Sequence, residues 1–302
     1  MKPAATKTQI LGSLYAGALG DAFASAAEGQ VQVNASTYRS GWSLTDDTQL
    51  TSSTCLAILA TRSVSPEHIA RQLCEDFQQD RYVGLGACTL GALRALSTGA
   101  HWALAGIQGE KAAGNGAAMR IAPLAFLLDF DDWADKQCFR DVVRITHRNE
   151  EALAGARAFA AGIQCLVRCA TPTRRDFFED VISLTFDSRT RDNLRVLCQT
   201  PSLSYKTAAT TMGTDGFVAR SVPMALLAAW EGLEVGVEAM FDNIISAGGD
   251  TDTIASMAGQ LWGTAQGVDA LPSGMLEQLP ERAHLGDVFS RFAVFAAADA
   301  MV

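Results

Sequence analysis

Two short clusters of carboxylates and hydroxyls, far apart in the chain, are the residues best suited to chemistry. Residues 45–48 read TDDT and residues 250–253 read DTDT, and each cluster stands directly before an apolar segment. Such side chains often cap a helix N-terminus, because their oxygens accept hydrogen bonds from its free N–H groups. One carboxylate is enough for a cap, whereas two beside apolar residues repel each other unless a cation or a strong set of donors offsets them. Capping alone is the alternative interpretation, and it explains only part of each cluster.

Convergence of the two clusters in the fold would create a cation site made only of oxygen ligands. It would contain four carboxylates and two hydroxyls, from Thr45, Asp46, Asp47, Asp250, Asp252 and Thr253. Mg²⁺ or Mn²⁺, and after them Ca²⁺, prefer such ligands, whereas zinc prefers nitrogen and sulfur. Since two divalent ions neutralise four carboxylates, we predict a binuclear centre with its ions about 3.5–4 Å apart.

A glycine-rich turn forms a third candidate. Residues 114–116 read GNG and precede the apolar segment AAMRIAP. A glycine turn at the start of a helix exposes N–H groups that suit a diphosphate or a ribose. We therefore predict that Gly114, Asn115 and Gly116 contact the substrate, with a plain turn as the alternative. Arg120 is expected either to contact a phosphate or to be a buried structural residue.

The elements that must position these groups are helices. Apolar residues recur three and four positions apart in most of the chain, for example in residues 6–25, 47–62, 150–170 and 286–302. The sequence therefore predicts an all-α fold. Glycine and alanine recur every four residues at positions 12, 16 and 20, and glycine recurs at 259, 263 and 267. Because glycine destabilises a helix by up to about 1 kcal/mol relative to alanine, this spacing indicates close helix packing.

Composition limits the class of protein. The chain has 302 residues, 48% of them hydrophobic, with no shift in composition, so a single domain over residues 1–302 is expected. Its formal net charge of −9 disfavours nucleic acid and anionic membranes as partners. Seven cysteines in apolar surroundings indicate reduced thiols. With no signal-like N-terminus and no uncharged apolar run of membrane-spanning length, we expect a cytoplasmic monomer.

Several motifs in order resemble the ADP-ribosylglycohydrolase family, which includes dinitrogenase reductase-activating glycohydrolase and the ADP-ribosylarginine and ADP-ribosylserine hydrolases. From the N-terminus they are GALGDA (17–22), TDDT (45–48), GLGACTLGAL (84–93), GNGAAMRIAP (114–123), TH (146–147), GFVARSVPMALLAA (216–229) and GGDTDT (248–253). The resemblance covers nearly the whole chain. It implies a compact orthogonal bundle of helices with a binuclear Mg²⁺ or Mn²⁺ centre that cleaves the bond at the anomeric carbon of an ADP-ribosyl group.

The resemblance also implies roles for individual residues. The six oxygen ligands proposed from charge match the family's metal ligands. Glu28 matches an acidic residue that in some members meets a metal and acts on the substrate, although Ala24 stands where the family usually has glycine. An ordinary exposed acid is the alternative for Glu28. His147 matches a position that lines the cleft, and a purely structural histidine is its alternative.

These residues suggest a hydrolytic mechanism without a covalent nucleophile. Chelation of the ribose 2- and 3-hydroxyls by a divalent ion would fix the anomeric carbon beside a water molecule. Asp46, Asp47 or Glu28 would remove a proton from that water. Asp252 or Glu28 would help to protonate the leaving group. Asp21 is expected to support a ligand loop instead.

The expected function is removal of mono-ADP-ribose from modified protein arginine. The alternatives are serine-linked or poly-ADP-ribose, a small free ribosyl substrate, or an immunity-type protein that binds a toxin and reverses its ADP-ribosylation. All six candidate ligands are intact, which favours an enzyme over a protein that only binds. Loops around residues 26–42, 99–114 and 199–216 are expected to select the acceptor.

Overall fold

The computed structural model describes residues 4–30 and 41–299. Its helices, in chain order, are α1 Lys7–Ala24, α2 Asp46–Thr61, α3 Pro66–Gln78, α4 Ala87–Ser97, α5 Trp102–Ala105, α6 Ala122–Ala125, α7 Trp133–Arg144, α8 Glu150–Arg168, α9 Arg174–Leu184, α10 Arg189–Gln199, α11 Tyr205–Met212, α12 Val218–Val235, α13 Val237–Ala247, α14 Thr251–Gln266, α15 Ser273–Gln278 and α16 Arg282–Asp299. Short 3₁₀ helices cover Ser25–Ala27, Glu110–Ala112 and Val268–Ala270. The predicted all-α class is confirmed.

Two features of the fold, very short helices and a short strand pair, were not predicted from the sequence. The described residues hold sixteen helices, and four-residue helices such as α5 and α6 are too short to show a period in the sequence. Two-residue strands, β1 Ile107–Gln108 and β2 His147–Arg148, also pair in parallel. This small pairing fixes the backbone on either side of His147.

Helices α1 and α14 pack with their backbones in close contact. A Cβ atom on Gly12 would overlap the carbonyl oxygen of Gly263, and one on Gly20 would overlap that of Ala255. The close approach inferred from the glycine spacing is therefore confirmed. Because the helices run antiparallel, the C-terminal end of α1 lies beside the N-terminal end of α14. This packing brings Asp21 to the start of α14.

Residues 7–27, which include α1, are long and apolar enough by composition to cross a membrane. In the fold, however, 78% of the tested window is buried inside the protein. Burial of this extent, against α14, is that of a core helix in a globular protein.

The core positions the remaining elements around this pair. Helices α8 and α12 are buried along most of their length, and α12 packs against both α8 and α14. Helix α2 packs on α3 and on α16. The N-termini of α2 and α14 consequently sit on well-packed helices, and a site formed by them is held rigidly.

Candidate active site and metal centre

A cleft of about 530 Å³ opens where the two acidic clusters meet. Asp46 from the start of α2 lines it, together with Asp250, Asp252 and Thr253 from the start of α14, and Glu28 stands at its edge. The convergence proposed from the sequence is therefore present in the fold. The metal-binding and catalytic roles of these residues remain predictions.

Asp47 lies beneath the cleft and is only 1% exposed. One of its oxygens, Oδ2, accepts a hydrogen bond from the Thr253 hydroxyl at 3.1 Å and lies 3.3 Å from the Thr45 hydroxyl, which donates its proton to Asp21 at 2.7 Å. These contacts join the two acidic clusters. Close contacts between oxygens thus connect three of the six predicted ligands, Thr45, Asp47 and Thr253.

Simple capping does not account for either cluster. Thr45 is the N-cap residue of α2 and Asp250 is that of α14, yet neither side chain accepts a hydrogen bond from an N–H group of its own helix. The Thr45 hydroxyl donates to Asp21, and the Asp250 carboxylate accepts from Asn115. Capping by the N-cap residues therefore does not explain why carboxylates gather at the two helix starts.

Asp21 stabilises the N-terminus of α2 from outside that helix. Its fully buried carboxylate accepts from the Thr45 N–H at 3.1 Å, the Thr45 hydroxyl at 2.7 Å and the Thr48 N–H at 3.1 Å. Because the close packing of α1 and α14 fixes Asp21, these bonds fix the first cluster relative to the second. The contacts agree with the supporting role expected for Asp21.

Two groups of carboxylates have the spacing of metal ligands. Oxygens of Asp21, Asp47 and Asp252 lie within 4.8 Å of one another, and so do oxygens of Glu28, Asp250 and Asp252. Asp252 belongs to both groups. Either group could hold a cation, and Asp252 would take part in both.

Crowding and burial make ionisation of these carboxylates costly. Burial, followed by the charges of Asp250 and Glu28, raises the pKa of Asp252 to about 9. Burial and then the charge of Asp21 raise the pKa of Asp46 to about 7. The pKa of Asp47 is raised well above its ordinary range by burial and the charge of Asp252. A cation in the cluster would offset this repulsion and let the carboxylates ionise.

The cluster also fits a divalent cation by its hydrogen bonding. Asp47 Oδ1 is buried and, within the part of the chain that the structure describes, has no hydrogen-bond partner. A buried carboxylate oxygen without a donor is expensive, and a metal ion is one of the few groups that satisfy it. The donor set is entirely oxygen, which suits Mg²⁺, Mn²⁺ or Ca²⁺.

The glycine turn forms the opposite wall of the cleft. Gly114 pairs with Phe217 in an isolated bridge, and the Asn115 N–H donates to the Gly216 carbonyl at 3.2 Å. The Asn115 side-chain amide donates to Asp250 at 2.5 Å and to Ser221 at 3.2 Å. This amide therefore positions a candidate metal ligand. The substrate contacts of Gly114, Asn115 and Gly116 remain predictions.

His147 lies behind this turn and is 2% exposed. Its Nδ1 forms a hydrogen bond with the Thr146 hydroxyl at 2.8 Å, and a Cβ atom on Gly114 would stand 3.4 Å from its Nε2. Burial, followed by the charge of Arg120, lowers the pKa of His147 to about 3. The imidazole is therefore neutral at physiological pH and can offer Nε2 for a hydrogen bond, but not a positive charge.

Several cleft residues were not foreseen. Of the described residues that line the cleft, Lys111 is the one lysine or arginine; Thr89 from the first turn of α4 and the exposed Asp215 also line it. Only the neighbouring glycines at positions 84, 86, 114 and 216 could have signalled them. Of the loops expected to select the acceptor, residues 31–40 lie outside the described residues.

Comparisons with known proteins agree with this geometry. The family model for ADP-ribosylglycohydrolase matches residues 2–300. An uncharacterized protein of Archaeoglobus fulgidus is 28% identical over 249 residues, which cover 82% of this chain and 79% of that protein. ADP-ribosylhydrolase ARH3 of Gallus gallus is 25% identical over 280 residues, covering 81% and 76% of the two chains.

A solved structure described as an ADP-ribosylglycohydrolase-related protein complex superposes with a TM-score of 0.67 at 23% identity. The superposition covers 96% of this chain and 98% of that one, so the two share a fold over nearly their full lengths. The family match, over residues 2–300, also spans nearly the whole chain. The chain belongs to the ADP-ribosylglycohydrolase family and is an ADP-ribosyl hydrolase.

Proposed function

We propose that this hydrolase depends on Mg²⁺ and removes mono-ADP-ribose from arginine side chains of modified proteins. The observation that supports the metal requirement is the convergence of the two acidic clusters on one cleft, with Asp47 Oδ1 left without a donor among the described residues. Burying this many like charges without a counter-ion would destabilise the fold. A divalent cation would supply that counter-charge.

The residues that would hold the metal are Thr45, Asp46, Asp47, Asp250, Asp252 and Thr253. We propose two Mg²⁺ ions, with Mn²⁺ as a substitute, because two divalent ions balance the four carboxylates of this set. When bound there, a divalent cation supplies Lewis acidity, which lowers the pKa of a coordinated water and stabilises negative charge.

The protein's own carboxylates would move the protons. Partial removal from water in the cleft, followed by the charge of Asp250, raises the pKa of Glu28 above its ordinary value, so this residue can exchange a proton closer to neutral pH. Asp46, Asp47 or Glu28 accepts the proton of the attacking water. Asp252 or Glu28 returns one to the departing group. The neutral His147 and the Gly114–Gly116 turn orient the nucleotide part of the substrate.

The proposal of an arginine acceptor is supported by the charge at the cleft opening. Glu28 and Asp215 are both exposed and both line the cleft, and Asp215 forms an ion pair with the exposed Arg220. A guanidinium acceptor would find carboxylate partners here, whereas a serine hydroxyl would not use them. Charge complementarity therefore favours arginine.

Release of free ADP-ribose tests both parts of the proposal. The substrates are protein ADP-ribosylated on arginine, protein ADP-ribosylated on serine, poly-ADP-ribose, and a small free ribosyl compound. We expect release from the arginine linkage, loss of release in EDTA, and recovery on addition of Mg²⁺. Activity that persists in EDTA would refute the metal requirement, and release confined to another substrate would refute the acceptor.

A further inference from the structure

The first aspartate of each acidic cluster donates its main-chain N–H group to a carbonyl of a distant loop. The Asp46 N–H donates to the Val83 carbonyl at 2.8 Å, and the Asp250 N–H donates to the Thr214 carbonyl at 2.8 Å. Both bonds use an N–H group at the start of a helix, which finds no partner inside its own helix. Each loop is therefore bound to the start of a helix whose carboxylates line the cleft.

A glycine follows in each loop and lies beside the same aspartate. A Cβ atom on Gly84 would stand 3.3 Å from Asp46 Oδ1, and one on Gly216 would stand 3.3 Å from Asp250 Oδ2. Gly84 also has a positive φ of 89°, a conformation that favours glycine. Both glycines line the cleft. The two loops thus form matching walls, each with its backbone beside one candidate metal ligand.

Gln49 fixes the first of these loops. It lies three residues after Asp46 on α2, and its side-chain Oε1 accepts a hydrogen bond from the Val83 N–H at 2.8 Å. The main chain of Val83 is consequently held twice by α2, through its N–H by Gln49 and through its carbonyl by Asp46. Removal of the Gln49 oxygen would break one of these two bonds and free the Val83 carbonyl to move away from Asp46.

The chain just before this point is anchored by other contacts. The Arg81 N–H donates to the Asp76 carbonyl and the Arg81 guanidinium to the Asp76 carboxylate, both at 3.1 Å. The Tyr82 hydroxyl donates to the Ser53 hydroxyl at 2.9 Å. Because these contacts already join the loop to α2 and α3, the glutamine bond acts locally, on the residues nearest the cleft.

We propose that Gln49 is a positioning residue for the hydrolytic reaction, which holds the Val83–Gly84 backbone against Asp46 and so fixes the Asp46 carboxylate in the cleft. The proposal rests on the function proposed above only in giving Asp46 a part in metal binding or proton transfer. Gln49 is not among the described residues that line the cleft. It therefore acts through Val83 and Asp46, and not on the substrate.

Gln9 provides a matched control. Its Oε1 accepts a hydrogen bond from the Thr6 N–H at 3.0 Å at the start of α1, and of the residues that the structure describes, those lining the cleft do not include it. Q9M and Q49M each remove one glutamine oxygen that accepts from a main-chain N–H group, and both keep the length of the side chain. Q49E keeps an oxygen that can accept from the Val83 N–H and is the conservative variant.

Amide hydrogen exchange in EDTA tests the positioning without metal or substrate. In Q49M we expect the Asp46 amide to exchange at least about tenfold faster than in the parent, because its acceptor, the Val83 carbonyl, is no longer held. In Q49E and Q9M the Asp46 amide should exchange within about threefold of the parent rate.

Three exchange results would overturn the proposal. One is an Asp46 amide that exchanges in Q49M as it does in the parent, while the Val83 amide exchanges faster. Another is an Asp46 amide that exchanges as fast in Q49E as in Q49M. The third is equal acceleration of Asp46 and of the buried amides of α8 in Q49M, which would assign Gln49 to general stability.

Release of ADP-ribose, measured on the linkage that the parent cleaves among those named above, gives the second readout. Q49M should lower kcat at least about tenfold and change KM less than about twofold, because a misplaced carboxylate slows the chemical step and leaves the substrate contacts in place. Q49E and Q9M should keep kcat within about threefold of the parent. A Q49M enzyme with the kcat of the parent, or with a loss confined to KM, would contradict the proposal. If the parent stays active in EDTA, the metal requirement fails, whereas hydrogen exchange and kcat still decide the role of Gln49.

Discussion

Replacement of Asp252 by asparagine should make the metal-free protein more stable and the enzyme inactive. Asp252 is 4% exposed and belongs to both groups of clustered carboxylates, so burial and repulsion act on it together. Asparagine has nearly the same shape and carries no charge. It can still accept the hydrogen bond that the Thr253 N–H donates to Oδ1 at 2.8 Å. The substitution therefore removes a carboxyl group whose ionisation is costly in the folded protein, and it keeps the local geometry.

The expected gain follows from the raised pKa. With a pKa of about 9 in the folded protein, Asp252 is protonated there at pH 7, whereas it is ionised in the unfolded chain. Each pH unit between about 3.9 and 7 costs the folded state about 1.4 kcal/mol, which sets an upper limit of roughly 4 kcal/mol. Because neighbouring carboxylates relax when one of them is protonated, we expect about 1–3 kcal/mol, or roughly 2–6 °C in the unfolding midpoint.

Magnesium should reverse the order of stability of the two proteins. A ligand at about 100 times its Kd stabilises the parent by about 2.7 kcal/mol, and D252N, which lacks a proposed ligand, should gain much less. Unfolding in urea with EDTA or with Mg²⁺ measures both effects. D287N is the control, since Asp287 is exposed and paired with Arg291, and it should stay within about 0.5 kcal/mol of the parent.

ADP-ribose release by D252N should fall at least about 100-fold, since Asp252 is proposed both to hold metal and to move a proton. Two results would refute this reasoning. One is a D252N protein that is less stable than the parent in EDTA. The other is a D252N protein that gains as much stability from Mg²⁺ as the parent does.

Three further outcomes are expected. In EDTA, the free energy of unfolding should fall as pH rises from about 5 to 8. Carboxylates with raised pKa values keep protons in the folded state that the unfolded chain has lost, so their contribution to stability is present at low pH and is lost on deprotonation. Urea unfolding midpoints that rise over this range would contradict this. D21N should weaken Mg²⁺ binding about 10–100-fold in calorimetry, because the asparagine amide cannot accept all the hydrogen bonds that Thr45 and Thr48 donate to Asp21. Unchanged binding would show that Asp21 does not support the metal ligands. G263A should lower the free energy of unfolding by about 1–3 kcal/mol, because its Cβ would overlap a carbonyl of α1. G274A is the control, since Gly274 has open space around it, and it should change the free energy of unfolding little. Equal effects of the two substitutions would contradict the close packing of α1 and α14.

The sequence predicted those parts of the structure that depend on residue type and local spacing. The glycine repeats of α1 and α14 indicated close packing because only a side chain without a Cβ permits such contact. The two acidic clusters suggested a shared site because repeated like charges need a common counter-ion. The resemblance of the motifs in order indicated the family, and with it the helical fold.

Other parts could not be predicted, since they depend on contacts between distant segments. The Asn115 amide bonds to Asp250 only because the turn at 114–116 pairs with residues 216–217. Lys111 reaches the cleft from the short 3₁₀ helix Glu110–Ala112 and Asp215 from the connection between α11 and α12, and no periodicity encodes either position. The short pairing of Ile107 with His147 likewise has too few residues to produce a strand pattern.

The central claim is that the two acidic clusters hold divalent cations in one cleft. Anomalous scattering from crystals soaked in Mn²⁺ tests it most directly, because the signal identifies the ion and its ligands together. We predict two anomalous peaks in the cleft, contacted by Asp46, Asp47, Asp250 and Asp252. A cleft without an anomalous peak at saturating Mn²⁺, or peaks only at surface carboxylates elsewhere, would contradict the claim.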